Sequence, residues 1–332
     1  MTRDEIIYLL SSDDKAALFG EADRVRRLHV GDAVHLRGLI EFSNACGRDC
    51  LYCGLRRSNS AVERYRMSPD EIFETAKTAA GLGYKSLVLQ SGENCQYPIK
   101  DMCALLKRIK AEIGIAITLS MGEKTREEYA LLKEAGADRY LLRFETSSEE
   151  LFAELKPDSS FKERFQCLTW LREVGFQVGS GIMVGLPGQT FEMIADDILL
   201  LQKLDLDMIG IGPFIANPET PLKGSPSGTL DLTLKAVAIL RIITKNTHIP
   251  ATTAMGSIEA GGREKALRCG ANVLMPNVTP VKYREHYQLY PNKICIKDQP
   301  GDCAACIAGM VHALGRTIAT DPGHSLKRSF SK

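Results

Sequence analysis

The stretch VHLRGLIEFSNACGRDCLYC, residues 34–53, joins an apolar, β-branched run to a loop that carries three cysteines. Residues 34–42 read as a buried strand: apolar positions dominate, and the Gly, Asn and Asp that follow mark its end. Cys46, Cys50 and Cys53 fall in the loop directly after it, at C-x3-C-x2-C spacing. A short loop of this kind wraps three thiolates around one face of a metal–sulfur cube. A 4Fe-4S cluster ordinarily takes four cysteines, so one iron would be left for an exchangeable ligand. A structural zinc with a distant fourth ligand, or three cysteines buried by chance, is the plainer alternative.

From residue 33 onward, further β-rich runs alternate with segments of helical period. The runs are KSLVLQ (85–90), IAITLS (115–120), RYLLRFE (139–145), QVGSGIMVG (177–185), DMIGIGP (207–213), PATTAM (250–255) and ANVLMP (271–276). With the first they make eight. Helices are expected over residues 68–80, 100–112, 125–135, 161–174, 191–203, 232–246 and 262–268, several ending on glycine. Eight βα units predict an α/β fold, a complete (β/α)8 TIM-type barrel, whose chemistry gathers at the C-terminal ends of the strands. Residues 1–32 are expected as a helical extension, 33–285 as the barrel, and 286–332 as a C-terminal extension with a Cys-bearing excursion over 286–309 and a last helix near 304–318. The tail SLKRSFSK is expected to be disordered.

The 332 residues are 44% hydrophobic with a formal net charge of +1, and no run of Lys or Arg interleaves with aromatics. Nucleic acid is therefore not expected as a main partner. No apolar stretch approaches the roughly 20 residues that cross a bilayer, and the acidic start does not look like a secretory signal, so a cytoplasmic protein without membrane contact is expected. Six of the ten cysteines stand in two clusters, which suits metal ligation better than disulfides.

The second cluster is Cys295, Cys303 and Cys306, at C-x7-C-x2-C in what reads as a Pro- and Gly-containing loop. It fits an iron–sulfur cluster or a zinc. Cys95, Cys103, Cys167 and Cys269 have no ligand spacing and read as small buried residues, and the six histidines show no metal-type pairing.

Strand alternation sends Arg143 and Glu145 to one face, inward if Phe144 packs outward against helices. Charged groups there need partners or ligands, so either an internal Arg–Glu pair or a ligand site follows. Arg164 lies in the first turns of a helix, where a solvated surface arginine is the plain reading. The Gln90-Ser91-Gly92-Glu93 turn permits close backbone approach.

The C-x3-C-x2-C loop after the first strand resembles the signature of the radical S-adenosylmethionine (SAM) superfamily. The segments LRGLIEFSNACGRDCLYCGLRR, VLQSGE, GIMVGLPGQT, DMIGIGPFIANPETPL and PATTAM, with the late cysteines, are similar to its FeFe-hydrogenase maturase branch. The resemblance implies a 4Fe-4S cluster on Cys46, Cys50 and Cys53 that chelates SAM and cleaves it reductively to a 5′-deoxyadenosyl radical. It implies SAM contacts from Tyr52, Gln90, Ser91, Gly92, Thr118, Glu145, Arg164 and Met208, and a lower substrate pocket of Arg143, Thr252, Thr253, Met275, Tyr287 and Tyr290. An auxiliary, dispensable iron–sulfur cluster on Cys295, Cys303 and Cys306 follows likewise.

The same resemblance implies a role in assembling the hydrogenase H-cluster, on a small organometallic or cysteine-derived substrate, with other maturases and an electron donor as partners. Biotin synthase and methylornithine synthase belong to the same branch. The first would need cysteines inside the strands, which are absent from the runs above, and the second would not be expected to carry the late cysteines. A non-enzymatic iron–sulfur scaffold would need neither the glycine turn nor the inward Arg143 and Glu145.

Overall fold

The computed structural model describes residues 1–93 and 97–327. Two helices lead, α1 (Arg3–Ser11) and α2 (Ala16–Val30). The alternation then runs β1 (Ala33–Ser43), α3 (Pro69–Gly81), β2 (Ser86–Ser91), α4 (Ile99–Glu112), β3 (Ala116–Ser120), α5 (Arg126–Glu134) and β4 (Arg139–Leu141). It continues through α6 (Glu149–Leu155), α7 (Phe161–Glu173), β5 (Gln177–Val184), α8 (Phe191–Lys203), β6 (Met208–Pro213) and α9 (Leu230–Thr244). The last part holds α10 (Thr253–Ile258), α11 (Gly262–Arg268), β7 (Val273–Leu274), α12 (Val281–Arg284), α13 (Pro300–Ala313) and β8 (Thr317–Ile318).

Local chemistry sets the helix starts. Ser68 before α3 and Thr125 before α5 accept from the amides of Glu71 and Glu128, whose carboxylates return to the cap amides. Ser148, Ser160, Thr190 and Thr229 cap α6 to α9 in the simpler one-sided way. The helices cover the outer face of a parallel sheet of order β6-β5-β4-β3-β2-β1-β7, and β8 pairs with the start of β1. Because both faces of the sheet are covered, every residue of β1 after Ala33 is buried.

The sheet curls, and the eighth expected strand is not among its ladders. Residues 250–255 were expected as a strand, whereas Thr252 is the N-cap of α10 and Thr253 its first residue. Pro250 has no amide hydrogen for a ladder, and residues 248–250 contribute only single parallel bridges, Met208↔His248 and Pro250↔Val273, to the end strands β6 and β7. The run 139–145 is also shorter than expected: β4 stops at Leu141, and Glu145, at φ 71°, rejoins only as a bridge to Ile182. The helix α6 had no counterpart in the sequence reading. The last helix begins at Pro300, so Cys303 and Cys306 lie on α13 and not in a loop.

The tail is a further correction as far as it is described. Ser325 is buried, its amide donates to Gln177 Oε1 at 2.9 Å and its hydroxyl bonds Asp207. Arg139 donates to the carbonyls of Pro322 (2.7 Å) and Gly323 (3.0 Å), and Arg37 reaches Gly323 O at 3.2 Å. Residues 321–327 thus close the N-terminal end of the strands, because buried guanidinium groups there require acceptors that the tail backbone supplies. His35, His248 and His324, given no role from sequence, gather at this closed end, with His248 Nε2 3.0 Å from His324 O. Cys95 and residues 328–332 lie outside the described residues.

Candidate active site

A cavity of about 340 Å³ is lined by β1, the loop after it, the ends of β2, β3 and β4, β6, α10 and residues 287–293. Cys46, Cys50 and Cys53 all face it. Their loop is pinned from several sides: Gly47 N donates to Glu93 O (2.7 Å), Leu51 N to Leu155 O (2.9 Å) and Asp49 N to the Asp158 carboxylate (3.0 Å). Arg64 Nη1 donates to the carbonyls of Asn44 (2.8 Å) and Leu55 (2.9 Å), closing the loop onto the end of β1. Burial pushes all three thiols up, so their ionised forms call for compensating positive charge. Among the described residues no three His, Cys, Asp or Glu side chains meet at the position of a single ion; the three thiols border a space.

Gln90, Ser91 and Gly92 end β2 against this loop. A Cβ on Gly92 would lie 2.2 Å from Ala45 O, so only glycine allows this approach. Gln90 Nε2 donates to Tyr287 OH at 3.1 Å. Beside the loop, Arg164 Nη2 meets Glu93 at 3.1 Å and its Nε meets Glu123 at 2.8 Å, and Arg48 bonds the same two carboxylates. Burial alone would raise Glu93, but the guanidinium groups of Arg164 and Arg48 outweigh it and hold the carboxyl at about 2. Arg164 is buried, which overturns its plain reading as a solvated helix arginine.

Arg143 and Glu145 both face the cavity, as alternation implied, and Phe144 packs outward on Phe165 with ring centroids 5.2 Å apart. They also pair with each other at 2.9 Å, and Arg143 Nη2 donates to Ile182 O at 2.6 Å. Tyr52, Met208, Thr252, Thr253, Met275, Tyr287 and Tyr290 line the same cavity, and the buried Thr252 hydroxyl has no hydrogen-bond partner among the described residues. Thr118 does not line it: the side chain is fully buried one layer down, and Ser120, two residues on, borders the space instead.

Charged residues that sequence reasoning missed complete the wall. Lys293 and Glu41 form a buried ion pair, with Asn277 Nδ2 donating to Glu41 Oε2 at 2.9 Å and Lys293 Nζ to Tyr287 O at 3.0 Å. Lys156, Arg48 and Glu93 also line the space. A glutamate within the apolar run 34–42 was the one available signal for Glu41.

The late cysteines lie outside this cavity's lining. Cys295 adopts φ 62° in the loop before α13, Cys303 is buried on its first turn, and Cys306 is exposed one turn on. A hydrogen bond with the Cys295 thiol draws Cys303 down to about 7. Cys167 and Cys269 are buried as expected, and Cys103 is half-buried.

Residues 40–201 match the Radical SAM superfamily. The chain is 52% identical over 332 residues to the FeFe hydrogenase maturase subunit HydE of Thermotoga maritima, across 99% of this chain and 95% of that protein. It belongs to the HydE family. The chain is also 30% identical to the 3-methylornithine synthase of Methanosarcina acetivorans over 271 residues, 81% of this chain and 76% of that one. A crystal structure of methylornithine synthase superposes with TM-score 0.85 at 27% identity, covering 96% and 94% of the two chains. A structure of the maturase HydG, at TM-score 0.79 and 20% identity over 96% of this chain and 73% of that one, shares the fold.

The chain is accordingly a radical SAM enzyme homologous to a hydrogenase maturase. The family implies a 4Fe-4S cluster and SAM, and the donor set fits: three soft thiols on one side of an otherwise open cavity. No described helix is long and apolar enough to cross a membrane.

Proposed function

We propose that this HydE-family enzyme holds a 4Fe-4S cluster on Cys46, Cys50 and Cys53, binds SAM at the remaining iron, and acts in assembly of the hydrogenase H-cluster. The observation that carries this reading is the convergence of the three thiols, the Gly92 backbone and the inward Arg143–Glu145 pair on one cavity. When bound, the cluster supplies the electron that cleaves SAM to methionine and a 5′-deoxyadenosyl radical.

The chain's own residues orient and enclose. The Gln90–Gly92 turn offers backbone acceptors to the SAM ammonium, Glu145 accepts from the ribose hydroxyls, and Tyr52 and Met208 border the adenine. Lower down, Arg143, Thr252, Thr253, Met275, Tyr287 and Tyr290 hold a small organometallic or cysteine-derived substrate, with the free Thr252 hydroxyl as a ready donor. Tyr287, fastened by Gln90 and the Glu41–Lys293 pair, helps to exclude water.

Residues 248–250 act as the eighth stave of a complete barrel spanning 33–285, with 1–32 and 286–332 as its extensions. Cys295, Cys303 and Cys306 hold an auxiliary iron–sulfur cluster. The partners are other maturases and an electron donor.

The test is restoration of hydrogenase activity in a mixture of apo-hydrogenase and the other maturases. The wild-type chain is expected to restore it, Cys303→Ala to keep most of it, and Cys50→Ala to lose it. Restoration by Cys50→Ala would defeat the proposal.

A further inference from the structure

Glu145 is held in a conformation that its own side chain does not favour. Its φ of 71° lies in the left-handed region, which is costly for a residue with a Cβ and persists only where the surroundings fix it. On one side β5 does so: Glu145 N donates to Gly181 O and Met183 N donates to Glu145 O, both at 3.0 Å. On the other side the chain is caught by Asp197, a fully buried residue of α8.

Asp197 takes hydrogen bonds from two strand ends at once. Its Oδ1 accepts from the Ser147 amide and, at 3.5 Å, from the Thr146 hydroxyl, the two residues that follow Glu145. Its Oδ2 accepts from Gln189 Nε2 at 3.2 Å. The Gln189 amide cannot turn over, because its Oε1 accepts from Gly185 N (2.7 Å) and Leu186 N (3.2 Å) while Nε2 also donates to Met183 O (3.1 Å).

Every one of these donors is neutral, and burial pushes the Asp197 carboxyl up to about 6. A buried carboxylate without a cation is costly, so its use lies in what a carboxylate alone can do there. It ties the end of β4 to the turn after β5, and Glu145 and Met183, which both line the cavity, stand between the two ties. An asparagine would fill the same space with one acceptor oxygen, too few to serve both strand ends.

We propose that Asp197 is a positioning residue for the ribose site, locking the backbone after β4 so that the Glu145 carboxylate stands where the ribose hydroxyls of SAM arrive. This deepens the SAM-binding function proposed above and rests on it.

The test compares SAM with its 2′-deoxyribose analogue, which lacks one of the hydroxyls that Glu145 accepts from. Both are titrated into anaerobically reconstituted, unreduced protein with matched iron and sulfide content, so that no turnover enters the measurement. Wild type is expected to prefer SAM by on the order of tenfold, and Glu145→Ala to lose that preference. Asp197→Ala should reduce the preference to about twofold, chiefly by weakening SAM, and should change nothing further in a Glu145→Ala background, because both act by one route. Asp197→Asn keeps the volume and carries the same comparison where Asp197→Ala does not fold; it should lower the preference by at least about half. The full wild-type preference in the folded Asp197 variants, or equal weakening of both ligands as a purely structural role would give, would overturn the assignment. Wild-type protein that bound both ligands equally would overturn it as well, by removing Glu145 from the ribose. A cluster-loaded wild-type protein that bound no SAM would instead overturn the function beneath it.

Discussion

Gly92 and Cys46 stand back to back, and a Cβ placed on Gly92 would lie 2.7 Å from the Cys46 Cβ and 2.2 Å from the Ala45 carbonyl oxygen. The turn after β2 therefore serves as the mould for the cysteine loop. Neither contact is the far end of a flexible side chain, so an added methyl must displace the loop itself.

Gly92→Ala is expected to cost about 1–3 kcal/mol of stability, as overpacking does, and to lower the iron bound per chain after reconstitution. Gly20→Ala is the control: it lies inside α2 with nothing within 4 Å of its added Cβ, and should stabilise by about 1 kcal/mol. Iron analysis with urea unfolding of both variants checks this. Full iron loading by Gly92→Ala would contradict it.

The closed end makes a separate expectation. A chain ending at Thr320 leaves Arg139 without the Pro322 and Gly323 carbonyls and Arg37 without Gly323 O. Hydrogen bonds to charged, buried donors contribute more than neutral ones, so the truncation should cost about 3 kcal/mol or more in urea unfolding. A chain ending at Lys327 keeps every one of these contacts and should retain the stability they contribute.

A pH dependence follows from Glu71. Its carboxylate accepts from the Ser68 amide, the Tyr283 hydroxyl and the Lys282 ammonium, joining α3 to α12, and the Ser68 amide above all holds it at about 2. A carboxyl depressed in the folded state contributes stability above its unfolded value, and loses it as pH falls through the folded one. The stability difference between wild type and Glu71→Gln should therefore be largest above about pH 5 and shrink toward pH 2. Because Glu71 is partly exposed, the effect is modest and should weaken in high salt. A difference that grew on acidification would reverse the assignment.

What could be read in the sequence was what lies close along the chain. Cys46, Cys50 and Cys53 span one loop, Gly92 ends one strand, and Arg143 and Glu145 are two residues apart, so spacing and alternation reach them. Residues 250–255 misled because Thr252 and Thr253 favour strands locally, while Pro250 and the start of α10 decide otherwise. Thr118 lies fully buried within β3, two residues before Ser120, which borders the cavity. Partners joined only by tertiary folding could not be paired from the sequence, although Glu41 itself stood out as a glutamate in an apolar run. Glu41 and Lys293 are 252 residues apart, and Arg139 meets Gly323 across 184. Lys156 follows a helix that no periodic pattern announced.

The most direct test of the central claim is to reduce the anaerobically reconstituted protein in the presence of SAM and to quantify 5′-deoxyadenosine and methionine. Wild-type protein should form both in equal amounts, and Cys50→Ala neither. Absence of 5′-deoxyadenosine from wild-type protein whose cluster is spectroscopically intact, or its formation by Cys50→Ala, would contradict the account.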